Sequence, residues 1–357
     1  MTQGHLTTAE SYGCALKSFK RVLWNTPVKG FDINYDVLKR WEYGMLNGVK
    51  GEDGKMTRPI AEATTGIYKR TCRLVWKECQ RLGYLTNVEY PFSNKKEAGK
   101  IYIPKGKTRK DRNLTIEKMT ELYNFFMNPT FPETWKTDYC DRAYRSLGMF
   151  LVQYLGNGLN LADAILLKYD QYYFASDQRA FHFERKKTKD RSRSAEVVIP
   201  IIKPLQNVLD KIAAKPELDK PVFPWLFSGE ATPRNIRNKT SNANSNIQDH
   251  VSRIAKEILG REMGPSGTWA RHSFGNNLRN AGVDMDYISE CMGHSTQDHP
   301  VTQLYIDNYP LDKKMEYNSL LLNVGNEEKN KKEALLSQLA SLNADELQEL
   351  LNKARKK

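Results

Sequence analysis

Between Lys95 and Arg112 the chain carries eight Lys or Arg against two acids, and Gly99, Pro104 and Gly106 interrupt it. No helix or central strand runs through such a stretch, because glycine and proline break the backbone ladders and the like charges repel. It divides the 357 residues into a shorter and a longer part, each with enough chain to bury a core. The chain is therefore expected to fold in two parts joined by a basic linker, residues 93–112. Lys95, Lys96, Lys100, Lys105, Lys107, Arg109, Lys110 and Arg112 would run along phosphates there. The alternative is a hinge with no contact.

Residues 1–92 read as helices. Thr7 and Glu10 form a capping box, and Tyr12, Leu16, Phe19 and Leu23 follow at helical spacing. Asn34 caps a second helix carrying Val37, Leu38, Trp41 and Met45. A third is expected from Glu62 to Arg81, with Ile67, Leu74, Val75 and Leu82 inward and Gly83 as its stop. Lys17, Lys20, Arg21, Lys69, Arg70 and Arg73 give this part a basic surface, in part solvated and in part suited to gripping phosphate.

Residues 113–325 are mixed. Thr115 caps a helix with Met119, Leu122, Tyr123 and Phe126 inward, and another covers Tyr139 to Tyr154. GNGLN (156–160) is a turn into a short helix. Residues 180–201 alternate apolar and polar on either side of a basic turn, which predicts a hairpin. Helices follow at about 202–213 and 243–259, from Arg271 to Gly282, and from an Asp284 cap to Gly293. The expected fold class is mainly α with a small β-hairpin or sheet (α+β). Residues 326–357 form a charged tail with a leucine stripe. Asn343 to Glu346 is a capping box there, so the tail predicts an amphipathic helix that docks on its own domain or on a neighbour.

The net charge of +13 points to a polyanion, nucleic acid before membrane. Five cysteines without CxxC spacing argue against a disulfide framework or zinc site. No apolar run approaches 18 residues, so a cytoplasmic, nucleoid-associated protein with no membrane contact is expected. There is no Walker loop, no HExxH and no acid cluster, hence no metal and no cofactor. What remains is a set of cations at element ends: Arg271, His294 just past a helix, and Lys187 near the hairpin tip. Cations converging on one spot would stabilise a pentacoordinate phosphate, and Tyr305 could attack it. A phenol with a pKa of about 10 needs such neighbours to react at neutral pH.

WARHSFGNNLRNAG, ISECMGHS and TQLYI, in that order, resemble the catalytic core of tyrosine recombinases, the phage-integrase family. The resemblance covers residues 5 to about 325. It implies an all-helical core DNA-binding domain, a linker and a mixed catalytic domain. It also implies a site-specific recombinase or integrase of mobile genetic elements, which cleaves DNA through a 3′-phosphotyrosine. Strands are then exchanged between two duplexes, through a Holliday junction, within a homotetramer. By the same resemblance Tyr305 is the nucleophile, with Tyr309 as its rival. Arg271 binds a non-bridging phosphate oxygen, His294 donates to the phosphate, and His272 supports the helix beneath. Lys187 is the general acid, with Lys186 and Lys189 as close rivals.

Two positions depart from the family pattern. Asn160 stands where an arginine belongs, and Thr268 where a histidine does. Asparagine cannot replace a guanidinium fork. The chain here resembles integrases of Bacteroides-type conjugative transposons, with a GLN…D box and an R-K-K-T hairpin. Asp163 is then the acid that buttresses active-site cations. Arg185 shares a strand face with Lys187 and could supply the missing charge; a plain DNA-phosphate contact or strand-face ion pair is the other reading. Two alternative functions stay open: a DNA-binding protein with impaired catalysis, and relaxation of the type IB topoisomerase kind.

Overall fold

The computed structural model of the chain describes residues 6–26, 33–85, 89–104, 112–185, 196–293 and 308–323. It falls into two units, Met1–Arg109 and Lys110–Lys357.

The first unit holds α1 (Leu6–Val22), α2 (Tyr35–Asn47), α3 (Glu62–Arg81) and a short parallel pair, β1 (Phe92–Ser93) and β2 (Ile101–Tyr102). Asn34 caps α2 by accepting from the Val37 amide, as the sequence predicts. Leu38, Trp41 and Met45 enter a core completed by Val22, Leu23, Trp76, Phe92, Ile101 and Ile103. The segment from 92 to 103, in which the linker was expected to begin, thus packs into this unit. Lys95 and Lys96 are exposed on it, while Lys100 donates to the Tyr90 carbonyl. Lys105, Lys107, Arg109 and Lys110 lie outside the described residues.

Helix α3 corrects the expectation. Ile67, Leu74, Val75 and Leu82 point to solvent, and Thr65, Gly66, Lys69, Thr71 and Trp76 point inward. The cause is the segment that docks on the helix. Lys69 Nζ bonds Glu42 and, at 3.2 Å, the Tyr102 carbonyl. Arg70 Nη1 donates to Pro104 O at 2.9 Å, and Arg73 Nη1 to Asn94 Oδ1 at 2.9 Å. A Cβ at Gly66 would lie 3.1 Å from the Pro104 ring. Where the buried face meets backbone carbonyls, at Gly66 and Lys69, it is small or polar. Lys69, Arg70 and Arg73 are accordingly held by the unit itself, while Lys17, Lys20 and Arg21 remain exposed.

The second unit runs through α4 (Ile116–Met127), α5 (Thr137–Leu155), α6 (Leu161–Ala164), α7 (Gln171–Ala175), β3 (Ala180–Glu184), β4 (Glu196–Pro200), α8 (Lys203–Ile212), α9 (Pro233–Arg253), α10 (Gly267–Asn280), α11 (Met285–Cys291) and α12 (Leu311–Ser319). Helix α5 is the spine. Its residues from Ser146 to Leu155 are all buried, and it packs against α4, α8, α9 and α10. Thr115 caps α4 through the Lys118 amide. The hairpin forms in antiparallel register from Ala180↔Pro200 to Glu184↔Glu196.

Two boundaries differ from the expectation. Helix α9 starts at Pro233 rather than 243, because Thr232 accepts from the Asn235 amide and Pro233 occupies the first turn. It ends in a π-turn, Ile254–Ile258. Helix α10 starts at Gly267, whose amide donates to Asn244 Oδ1 at 3.0 Å, so Arg271 stands one turn inside the helix rather than at its start. Helix α12 is tied down by buried polar contacts. Asn318 bonds Asn157 and Tyr287, Tyr154 Oη donates to Leu321 O, and Lys314 pairs with Glu290. The tail expected at 326–357 lies outside the described residues. Among the described residues no helix is long and apolar enough to cross a membrane, and no group of three or more His, Cys, Asp or Glu could hold a metal.

Candidate active site

Helix α5 ends in a turn that must double back. Asn157 and Gly158 take it with φ of 61° and 63°, the left-handed region that asparagine and glycine tolerate best. Asn157 is pinned on both sides: Nδ2 donates to Val198 O at 2.9 Å, and Oδ1 accepts from Asn318 at 2.8 Å. Gly158 is required for a second reason. A Cβ there would sit 3.1 Å from Arg271 Cγ and 3.2 Å from its Cα. The turn therefore lies directly on α10, and Arg271 Nη1 donates to the Gly158 carbonyl at 2.8 Å.

Arg271 Nη2 donates at 2.7 Å to the carbonyl of Met292, just past α11. One guanidinium thus ties the GLN turn to the MGH turn. Arg185, the residue after β3, comes from the other side. It is 7% exposed, and its Nη1 donates to the Gly293 carbonyl at 2.9 Å. Asn160, Asp163, Arg185, Arg271 and Met292 line one small cavity together with Phe183. Asp163, buried on α6, is the acid of that group. Asn160 precedes α6 and its side chain makes no cap bond.

Among the described residues, two guanidiniums and one carboxylate line the cavity. Burial pushes Arg271 down to about 10, Arg185 pushes the same way, and Asp163 opposes both. Arg185 is also lowered by burial, with Asp163 opposing. Arginine does not lose its proton in proteins. The lowered values express the cost of holding two like charges close together and partly out of water. An anion entering the cavity would offset that cost.

The residues flanking Arg271 take other roles. His272 is half-buried beside it, about 100° around the helix. Ser273 is fully buried, and its Oγ accepts from the Leu114 amide at 2.8 Å. Asn277, one turn on, bonds Leu114 O and Tyr154 Oη. These contacts fix α10 against the start of α4, which no sequence pattern announces. Thr268 is exposed in the first turn of α10.

Lys187, with its rivals Lys186 and Lys189, and His294 and Tyr305 lie outside the described residues. Their sequence neighbours do not: Arg185 precedes Lys187 by two, and Gly293 precedes His294 directly. Tyr309 is described. It packs edge-on against Tyr287 at 5.1 Å, and its amide donates to Glu290. Burial raises its pKa, and Asp284, Asp286 and Glu290 raise it further. A phenol ringed by carboxylates is poorly suited to act as a phenolate nucleophile.

Residues 131–311 match the pattern of the phage integrase family. No curated protein sequence matches the chain. Among solved structures, the chain is similar to the Tn1549 transposon integrase in complex with transposon right end DNA. The identity is 14%, over 85% of this chain and 96% of that one, with a TM-score of 0.51. The same integrase in complex with circular intermediate DNA matches at 14% identity, 86% and 91% coverage and a TM-score of 0.51. An integrase from mycobacterium phage Brujita matches at 15% identity, over 88% and 86%, with a TM-score of 0.37. At these identities the likeness to the Tn1549 integrase establishes the fold.

Proposed function

The chain belongs to the phage integrase family and is a tyrosine site-specific recombinase acting on DNA, and from that premise we propose how its residues divide the work. The cavity shared by Arg185, Arg271, Asn160 and Asp163 receives the scissile phosphate. Arg271 and Arg185 each contact a non-bridging oxygen. A guanidinium offers five N–H groups, so the carbonyl bonds that fix each arginine and new bonds to phosphate can coexist. Asp163 keeps the two cations in place. Asn160, lacking charge, leaves to Arg185 the role that a second box arginine would take.

Tyr305 Oη attacks phosphorus, and the P–O5′ bond breaks. Lys187 delivers the proton to the leaving 5′-oxygen. His294 donates to the phosphate, and charge on the pentacoordinate oxygens is met by the arginines. The product is a 3′-phosphotyrosine with a free 5′-hydroxyl. The 5′-hydroxyl of a partner strand then attacks that phosphorus and releases the tyrosine. One phosphodiester is exchanged for one phosphotyrosyl bond and back again, so the energy of the cleaved bond is retained.

Exchange between two duplexes uses four tyrosines, hence four protomers. The leucine-patterned tail of 327–357 supports a role in joining them. Lys95, Lys96 and Arg112 add phosphate contacts that serve every DNA sequence alike.

The observation that carries this reading is the convergence of Arg185 and Arg271 in one cavity beside Asp163 and Asn160. It supports catalysis over the alternative of impaired catalysis, which rests on Asn160 and Thr268, since a second guanidinium lies beside Asn160. A nicked suicide duplex, built from the junction sequences flanking the gene, tests it. Wild type should accumulate a covalent adduct. Tyr305→Phe should form none while binding the duplex as tightly. An adduct undiminished in that variant would transfer the role to another residue and end this assignment.

A further inference from the structure

Among the described residues, four other than glycine have positive φ: Asn157, Asp177, Gln178 and Asp219. The last three are exposed turn residues. Asn157 alone of the four is buried, at 2% exposure. Glycine takes this conformation with less strain than any residue carrying a Cβ, so the turn itself does not call for an asparagine. What glycine lacks is the amide, and the Asn157 amide is engaged at both ends.

Its two partners lie on elements distant in the chain. Val198 belongs to β4, and its carbonyl accepts from Nδ2 at 2.9 Å. Asn318 belongs to α12, and its Nδ2 donates to Oδ1 at 2.8 Å. Asn318 is itself fixed. It is fully buried, and its Oδ1 accepts from Tyr287 Oη at 2.8 Å. Helix α12 has further holds of its own in the Lys314–Glu290 pair and the bond from Tyr154 to Leu321 O. The anchor therefore stays in place whether or not Asn157 is bonded to it.

The residue after Asn157 is the one to which Arg271 donates. Contact of Gly158 with Arg271 Cα and Cγ limits how closely the turn approaches α10. It does not fix where the Gly158 carbonyl sits along that helix. The amide of Asn157, one residue earlier, does. An arginine stem rotates freely about its bonds, so its fork goes where its acceptors are, and Arg271 Nη1 follows the Gly158 carbonyl at 2.8 Å. We propose that Asn157, anchored by Asn318, is a positioning residue: through the Gly158 carbonyl it sets where the Arg271 guanidinium meets the scissile phosphate. The proposal rests on the recombinase reading, which supplies the phosphate. A misplacement of about 1 Å can cost about 100-fold in rate without removing any group from the phosphate.

The test is a cycle of variants of the full-length protein, read by adduct formation on the suicide duplex at saturating DNA, with duplex affinity measured separately. Asn157→Gly keeps the left-handed turn and loses both amide bonds. It should slow adduct formation about tenfold or more and leave affinity within about twofold. In an Arg271→Lys background a single ammonium replaces the fork. The same change should then cost less than about twofold, because no fork is left to position. Asn318→Ala removes the anchor from the α12 side, leaves the turn's own sequence intact, and should show the same pattern. Tyr169→Phe is the control. It loses a bond to Ala214 O, Tyr169 is not among the described residues that line the cavity, and the rate should stay within about twofold. Melting temperatures verify that each variant is folded at the assay temperature. Asn157→Gly at the wild-type rate, an equal slowing in both backgrounds, or Tyr169→Phe slowed as much overturns the proposal and leaves the recombinase reading standing. A wild-type protein that forms no adduct overturns both.

Discussion

Each unit buries positive charge, and the two do it differently. In the first, Lys69 is 3% exposed and bonded to Glu42 and a backbone carbonyl. Burial raises the Glu42 carboxyl, but bonds from Lys39 and Lys69 outweigh it, and the net shift is downward. That charge is matched, and its partners come from the unit itself. In the second, Arg185 and Arg271 share Asp163 in a cavity, and burial and mutual repulsion depress Arg271. A matched buried ion holds a fold together. Two guanidiniums held close together and partly out of water carry a cost, and an anion bound between them would offset part of it. The same unit also contains the matched kind, since Lys314 pairs with Glu290.

The comparison breaks first at Lys69 if it is wrong. Lys69→Met should destabilise the first unit by about 3 kcal/mol, at the low end for breaking a buried pair because Lys39 still covers Glu42. Adding Glu42→Leu should restore most of that loss. Hydrogen exchange of the α1–α3 amides reads both, and adduct formation by bound enzyme should be unchanged. A neutral Lys69→Met, or a double variant as weak as the single one, would mean the pair is not what holds α3.

A smaller effect sharpens the other side. Sulfate at about five times its Kd should add about 1 kcal/mol to the second unit, raising its Tm by about 2–4 °C over chloride at equal ionic strength. Sulfate also stabilises proteins generally, so Arg185→Ala is the control and should lose the specific part. Equal gains in wild type and variant would remove the cavity as an anion site.

The sequence made some of this legible and not the rest, for physical reasons. The Asn34 and Thr115 caps, the 180–201 hairpin and the helix carrying Arg271 are local patterns, and each formed. The inward face of α3 was misjudged because periodicity counts apolar residues, whereas Gly66 and Lys69 are buried against Pro104 and the Tyr102 carbonyl. Helix α9 was started ten residues late, although Thr232-Pro233 is a cap followed by a first-turn proline; its run of Asn and Ser masks a helix as a loop. At the site, Arg271, Asp163 and Arg185 were named from their boxes, and the structure places them around one cavity. Asn157, Ser273 and Asn277 were not named as support, since their partners are 41 to 163 residues away.

The central claim is that Arg185 supplies the charge that Asn160 lacks. Its direct measurement is the rate of covalent adduct formation on the suicide duplex, at saturating DNA, for Arg185→Ala and Asn160→Ala side by side. Arg185→Ala should slow it about 100-fold or more, as loss of one preorganised donor to the transition state does, with DNA affinity little changed. Asn160→Ala should slow it far less. The reverse ranking, with Asn160 critical and Arg185 dispensable, would contradict the account.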